Sequence, residues 1–426
     1  MPRESSLVRM LVTFLRILHP FTLLLYCETS VCPQNWNSAC TDLSRPSKST
    51  DILLEDIESR LSSLERRLRA VEQPVWQIGT SHEDWEICAE GPCKCVPETK
   101  SLSCWRYGLL DVPPSQMVPN DILKLDLGSN QMTALHRDTF LDMTQLNQFA
   151  VHLRISKNFL RELHQNQFVK ISLEELNLRG NLLTEIPDNL FSSLERLLTL
   201  ELSSNRLTHI RPLAFDGLAA LKELLLGQNY IKTLTPGLFD SANSLERLIL
   251  YANSIEVLSK STFRGLNNLT SLYLHSNRLR LLHPDLFKDT PNLRKLLLEA
   301  NYLSYLPAKI LDGLLTIRQL RLERNPWHCD CSAAYLATWL QRRYLTITNS
   351  STMGEINIGD NSKSWEFGAG VICRGPGAMG GKLLLQLTFH ELCEGQWASM
   401  KGLVPRVPKD LLGISLSNTL GKVAEV

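Results

Sequence analysis

Leu245-Glu246-Arg247-Leu248-Ile249-Leu250-Tyr251-Ala252-Asn253 is answered, 24 residues later, by Leu269-Thr270-Ser271-Leu272-Tyr273-Leu274-His275-Ser276-Asn277. Both read L-x-x-L-x-L-x-x-N. Outward in both directions the same frame closes on Asn229, Asn205, Asn181, Asn158 and Asn130, and on Asn301 and Asn325. The asparagines are spaced by 28, 23 and then six intervals of 24 residues. Self-similarity at a fixed period of this length marks a stacked repeat array rather than an ordinary globular domain.

The spacing dictates the architecture. L-x-L has a period of two, so the leucines of each short strand point to one face and the residues between them to the other. One repeat cannot bury its leucines alone, but stacked neighbours form a continuous core beneath a parallel sheet. The asparagine carries donors and an acceptor and can satisfy backbone groups where the chain leaves the strand. Ten residues after it stands a second apolar position: Phe140, Phe168, Phe191, Phe215, Phe239, Phe263 and Phe287, then Leu311. This column reads as a stacked structural spine, not a ligand site. The fold class is therefore an α/β leucine-rich-repeat solenoid of nine repeats over 119–325, with a curved parallel β-sheet on its concave face. The 28-residue interval predicts a four-residue insertion at Ala150–Leu153, within the second strand region, forming a bulge, a locally disordered stretch or a contact loop.

A solenoid exposes its core at both ends unless it is capped. Of the 11 cysteines, Cys88, Cys93, Cys95 and Cys104 precede the first repeat, followed by Val112-Pro113-Pro114. Past the last asparagine comes Pro326-Trp327-His328-Cys329-Asp330-Cys331, then a helical run with Leu336, Trp339 and Leu340, then Cys373 and Cys393. Two groups of four cysteines suit a disulfide framework in an oxidising compartment; metal binding at the C-x-C pairs, with His328 as a further ligand, is the alternative.

These blocks resemble the flanking modules of extracellular leucine-rich-repeat proteins with cysteine-rich caps, such as Slit, the Nogo receptor and chondroadherin. The likeness covers roughly residues 88–395. It implies an N-terminal cap over 75–118 with Cys88–Cys95 and Cys93–Cys104. It likewise implies a C-terminal cap over 326–395 with Cys329–Cys373 and Cys331–Cys393. The polar stretch from Asn349 to Ser364, within the long 346–367 segment, departs from that pattern and is expected to be a surface loop.

The 45 Lys and Arg against 44 Asp and Glu leave a formal charge of +1, which argues for neither a nucleic-acid partner nor a membrane surface. Arg3 and Arg9 precede an apolar stretch, Leu11 to Tyr26, broken by Arg16 and Pro20. Its uninterrupted part falls far short of the roughly 20 residues a spanning helix needs. Residues 1–30 thus read as a signal peptide, whose cleavage removes Cys27. Residues 31–50 read as a flexible linker holding Cys32 and Cys40, and 396–426 as a polar tail without an anchor.

Between them, Leu54, Ile57, Leu61, Leu64, Leu68 and Val71 alternate three and four apart until Pro74, a short coiled-coil helix over 51–74. Arg60-Leu61-Ser62-Ser63-Leu64-Glu65 and Arg67-Leu68-Arg69-Ala70-Val71-Glu72 resemble the trimerisation motif of parallel three-stranded coiled coils. A homotrimer through residues 51–73 and a helix packed on its own solenoid are both compatible with this stripe.

The concave face is the candidate binding surface. Its central column runs Asp126, Arg154, Asn177, Glu201, Leu225, Ile249, Tyr273, Leu297 and Arg321. The next runs Gly128, Ser156, Arg179, Ser203, Gly227, Tyr251, His275, Glu299 and Glu323. Repeats five to eight place Leu225, Ile249, Tyr273 and Leu297 side by side, with Tyr251 and His275 beside them. Glu223, Arg247, Lys295, Glu299 and Arg321 rim the strip, the anatomy of a protein interface. The alternatives are a solvated face that tolerates apolar residues, or a strip covered by the coiled-coil segment. Asn268-Leu269-Thr270 and Asn349-Ser350-Ser351 are glycosylation sequons.

No nucleophile elbow, H-E-x-x-H, phosphate loop or paired-carboxylate motif appears, so neither catalysis nor a metal or other cofactor is expected. The sequence points to a secreted, non-catalytic recognition protein that binds an extracellular protein or glycan ligand in cell-surface or matrix adhesion or signalling. A regulatory subunit of a secreted enzyme, or an innate immune recognition protein, are the other classes this scaffold serves.

Overall fold

The computed structural model describes residues 93–113, 118–119, 121–136, 139–140, 151–165, 167–350 and 370–393. An antiparallel hairpin, β1 (Lys94–Val96) and β2 (Ser101–Ser103), begins an 11-stranded sheet. Parallel strands then follow in chain order: β3 (Lys124–Asp126), β4 (Val151–Arg154), β5 (Leu173–Asn177), β6 (Thr199–Glu201), β7 (Glu223–Leu225), β8 (Arg247–Ile249), β9 (Ser271–Tyr273), β10 (Lys295–Leu297) and β11 (Gln319–Arg321). Each strand is one turn of a parallel solenoid.

The register explains why the strands are short yet the stack is continuous. Leu125, Leu153, Leu176, Leu200, Leu224, Leu248, Leu272, Leu296 and Leu320 pair across the whole sheet, and each is fully buried. Past each strand the ladder persists: Leu226 N donates to Ile249 O at 2.8 Å and Gln228 N to Tyr251 O at 2.8 Å. The residue before each asparagine then turns left-handed, with φ of 52° to 59° at Ser129, Lys157, Ser204, Gln228, Ala252, Ser276, Ala300 and Arg324. Only Gly180 meets this requirement without a Cβ.

The asparagines do what their chemistry allows. Asn229 Nδ2 donates to Leu202 O, Leu226 O and Gly227 O at 3.1, 3.0 and 3.3 Å, while its Oδ1 accepts from Leu207 N at 3.1 Å. The same set recurs at Asn253, Asn277 and Asn301. On the far side the phenylalanine spine stacks, with ring centroids 5.8 Å apart for Phe140–Phe168 and 5.9 Å for Phe168–Phe191. Leu311 continues it as a buried residue.

The second repeat corrects the sequence reading. Val151–Arg154 is not inserted; it is β4 itself, with Leu125 opposite Leu153 and Asp126 opposite Arg154. Thirteen residues separate Phe140 from Leu153, against nine from Phe191 to Leu200, so the extra length lies upstream of Val151. Frame-matching within the sequence slid the gap to the wrong side because Ala150 replaces the first leucine of the motif. An irregularity does exist one strand later: Val151 pairs with Leu173 but His152 with Glu175, leaving Glu174 as a bulge in β5.

Three of the four disulfides expected in the caps are present among the described residues. Cys93–Cys104, Cys329–Cys373 and Cys331–Cys393 are bonded, which also settles the C-x-C pair of the C-terminal cap as disulfide partners rather than metal ligands. Cys95 is disulfide-bonded as well, while Cys88 lies outside the described residues. In the C-terminal cap β12 (Trp327–His328) pairs with β13 (Cys373–Gly375), and α1 (Ala334–Ser350) closes the core. Trp327 is buried and donates its indole N–H to Leu322 O at 2.9 Å. Tyr335 ties α1 to the last turn, accepting from Leu311 N and donating to Asp312. The first residues of the expected cap loop are helical instead, because α1 runs through Asn349 to Ser350; the rest of that loop, 351–367, lies outside the described residues. The expected signal peptide, linker, coiled-coil stripe Leu54 to Val71 and polar tail all lie outside the described residues.

Candidate functional site on the open face of the sheet

One face of the sheet is sealed by the leucine column; the other carries the two columns read from sequence. The register confirms the first of them, pairing Asp126, Arg154, Asn177, Glu201, Leu225, Ile249, Tyr273, Leu297 and Arg321 strand by strand. Its two halves differ in kind.

Over β3 to β6 the face satisfies itself. Asp126, Asn177 and Glu201 each accept a hydrogen bond from the backbone N–H two residues on. Glu175 binds Arg154 Nε at 3.0 Å and His152 Nδ1 at 2.8 Å. Burial alone pushes the Glu175 carboxyl up, but the bonds and charges of Arg154 and His152 outweigh it and hold it below its ordinary value.

Over β7 to β10 the face is apolar and aromatic. Leu225, Ile249 and Tyr273 are half-buried, and Leu297 sinks to 6% exposure beside them. The Tyr251 and His275 rings stack at 5.0 Å and 5°, and Tyr273 leans on His275 at 6.3 Å. Lys295 Nζ sits 5.0 Å above the Tyr273 ring. Gly227 makes room for this arrangement, since a Cβ there would lie 2.5 Å from Tyr251 Cε1. At the rim, Arg247 Nε faces Glu223 at 3.8 Å and both side chains are solvated.

The C-terminal end of this patch holds side-chain atoms without a hydrogen-bond partner. Among the described residues, five side-chain atoms are shut from water and lack a hydrogen-bond partner. Four of them cluster here: His275 Nδ1, Glu299 Oε2, Arg321 Nε and Glu323 Oε1. Buried polar groups are nearly always satisfied, so such a concentration sets this end of the face apart from the rest. Burial lowers the His275 imidazole, helped by Arg321 and Lys295. Burial raises the carboxyls of Glu299 and Glu323 despite backbone hydrogen bonds at each, the charge of Arg321 on both and those of Lys295 and Arg324 on Glu299, and Glu299 raises Glu323 further. Sequence reasoning placed Glu299 only on the rim and gave Glu323 no role. The available signal was two glutamates in succession, the only acidic residues of that column.

Other surfaces are simpler. Val257, Leu281 and Tyr305 follow consecutive asparagines by four residues and form a second exposed apolar column, which the sequence reading passed over. Asn268 is exposed off the open face, in a shallow depression with Lys222, Glu246, Thr270 and Arg294, and its Nδ2 donates to Asn243 O at 3.0 Å. Among the described residues no helix is long and apolar enough to cross a membrane.

The leucine rich repeat profile matches residues 150–205, 171–231, 220–279 and 267–326. No curated protein matches the chain. Of solved structures, a chain of the octameric complex of Latrophilin 3, Unc5D and FLRT2 (LRR) is 21% identical, with 70% of this chain and 98% of that one covered and a TM-score of 0.54. Human 5T4 (Wnt-activated inhibitory factor 1, trophoblast glycoprotein) is 24% identical over 74% of this chain and 100% of that one, at a TM-score of 0.48. The TLR13–ssRNA13 complex aligns at 36% identity over 49% of this chain and 29% of that one, at a TM-score of 0.46. Residues 150–326 are a run of leucine-rich repeats, and the chain has the solenoid fold such repeats build.

Proposed function

We propose that this chain is a secreted recognition protein that binds an extracellular protein partner on the open, concave face of its solenoid, across β7 to β11. The observation that carries the reading is the pairing on one patch of a half-buried apolar strip with four unsatisfied polar atoms. A solvated face needs neither; an interface core uses both, because partner atoms cover the one and complete the other. Leu225, Ile249, Tyr251, Tyr273, His275 and Leu297 form the centre, with Arg247, Lys295 and Arg321 at its border. Homotrimerisation through residues 51–73 would present three such faces together, and a glycan on Asn268 would leave the patch open.

The test is capture of cell-surface and conditioned-medium proteins by the full chain. The Ile249→Asp/Tyr273→Asp variant runs beside Leu281→Asp, which alters the other apolar column. Loss in the first variant alone, with secretion intact, is the expected result. Loss in the second alone would move the site to the Val257–Leu281–Tyr305 column and overturn the assignment.

A further inference from the structure

Glu299 and Glu323 occupy the same repeat position on successive turns, following β10 and β11. Their backbones are joined by Ala300 N donating to Glu323 O at 3.0 Å. Neighbouring strands lie about 4.8 Å apart, so two carboxylates are held side by side, where like charges normally destabilise. Glu323 is only 8% exposed, and its Oε1, like Glu299 Oε2, is closed to water and accepts no hydrogen bond.

The charges nearby do not close the account. Arg321 acts on both carboxyls through space, yet among the described residues it makes no ion pair with either and its Nε is itself unused. Lys295 is placed over the Tyr273 ring. The charges of Arg321, Lys295 and Arg324 do not outweigh burial at Glu299, and Glu323 has Arg321 as its one favourable charge against burial and the charge of Glu299, an arrangement that is costly without a further cation. Beside the pair lies the apolar surface of Leu297 and Tyr273. A long aliphatic stem ending in a charged head fits both features, and lysine and arginine are the side chains with that form.

Resting on the recognition face proposed above, we propose that Glu299 and Glu323 form the receptor for a lysine or arginine side chain of the protein partner. The stem lies on Leu297 and Tyr273, and the head donates to Glu299 Oε2 and Glu323 Oε1. An acidic partner group would meet an unneutralised carboxylate pair instead.

The probe is a library of random displayed dodecapeptides selected on the full chain, then counter-screened on Ile249→Asp/Tyr273→Asp. Glu299→Gln/Glu323→Gln keeps shape and removes charge, and its melting curve checks its fold. Peptides that need the apolar strip are expected to carry a lysine or arginine whose replacement by methionine weakens binding at least tenfold. That penalty should vanish on the Gln variant, while the methionine peptide binds both proteins alike. Strip-dependent peptides lacking a basic residue, enriched in acidic ones, or equally penalised on the Gln variant would overturn the receptor and leave the recognition face standing. Selection of no strip-dependent peptide would overturn the face, and the receptor with it.

Discussion

Replacement of Asn229 by alanine, aspartate or leucine separates the hydrogen-bonding role of the repeat asparagine from its volume. Asn229 is 5% exposed and engages three carbonyls and one N–H. The carbonyls each keep a second donor: Leu202 O from Asn205, Leu226 O from Asn253 and Gly227 O from Ser204 N. Leu207 N has no such reserve, since Asn229 Oδ1 is its acceptor. Alanine therefore orphans one buried N–H, at about 1–3 kcal/mol, and removes three shared bonds worth roughly 0.5 kcal/mol each, a loss of about 3 kcal/mol. Leucine fills the volume but restores none of this. Aspartate keeps the acceptor for Leu207 N but turns an anionic oxygen toward three carbonyls at 3.0–3.3 Å. Its carboxyl should titrate high, so stability is lost as pH rises through its folded value and partly regained on acidification. Urea unfolding followed by circular dichroism at pH 7.5 and pH 5 provides the ranking. Wild type should exceed alanine, and alanine should exceed aspartate, with the last gap narrowing at pH 5. An aspartate variant as stable as alanine at pH 7.5, or a leucine variant equal to wild type, would refute the ladder account.

Two further predictions concern the open face. Gly227→Ala should weaken partner binding at least tenfold while leaving the melting temperature within a few degrees, because the new methyl displaces the Tyr251 ring from the His275 stack without entering the leucine core; affinity and melting measured on one preparation check it. Glu323→Gln should stabilise the free protein at neutral pH by on the order of 1 kcal/mol. Burial raises the Glu323 carboxyl, so the folded state holds a proton that the unfolded chain releases, and stability falls as pH rises through that folded value. The gain from glutamine should thus disappear below the ordinary carboxylate value of 4.5, as a series of melts from pH 4 to 8 would show.

Much of this protein was legible before any coordinates because a solenoid makes neighbours out of residues one repeat apart. Nine asparagines at near-constant spacing fix the strands, the buried leucine column, the phenylalanine spine and the residues that share the open face. Periodicity failed only where it was broken. The second repeat lacks its first leucine at Ala150, so sequence matching could not say on which side of Leu153 the extra residues lie; backbone pairing with β3 decides it. Likewise, composition after Asn349 suggested a loop, but helical hydrogen bonding carries on to Ser350. Which polar groups on the open face have partners was beyond the sequence altogether. Asp126 and Glu323 stand at different points of the same pattern, yet Asp126 meets a backbone N–H and Glu323 Oε1 meets nothing. That difference depends on side-chain direction and on the burial imposed by adjacent turns. Repeat spacing thus determined the scaffold, because every turn faces the same packing problem. The site was decided by tertiary structure, because it arises where consecutive turns solve that problem differently.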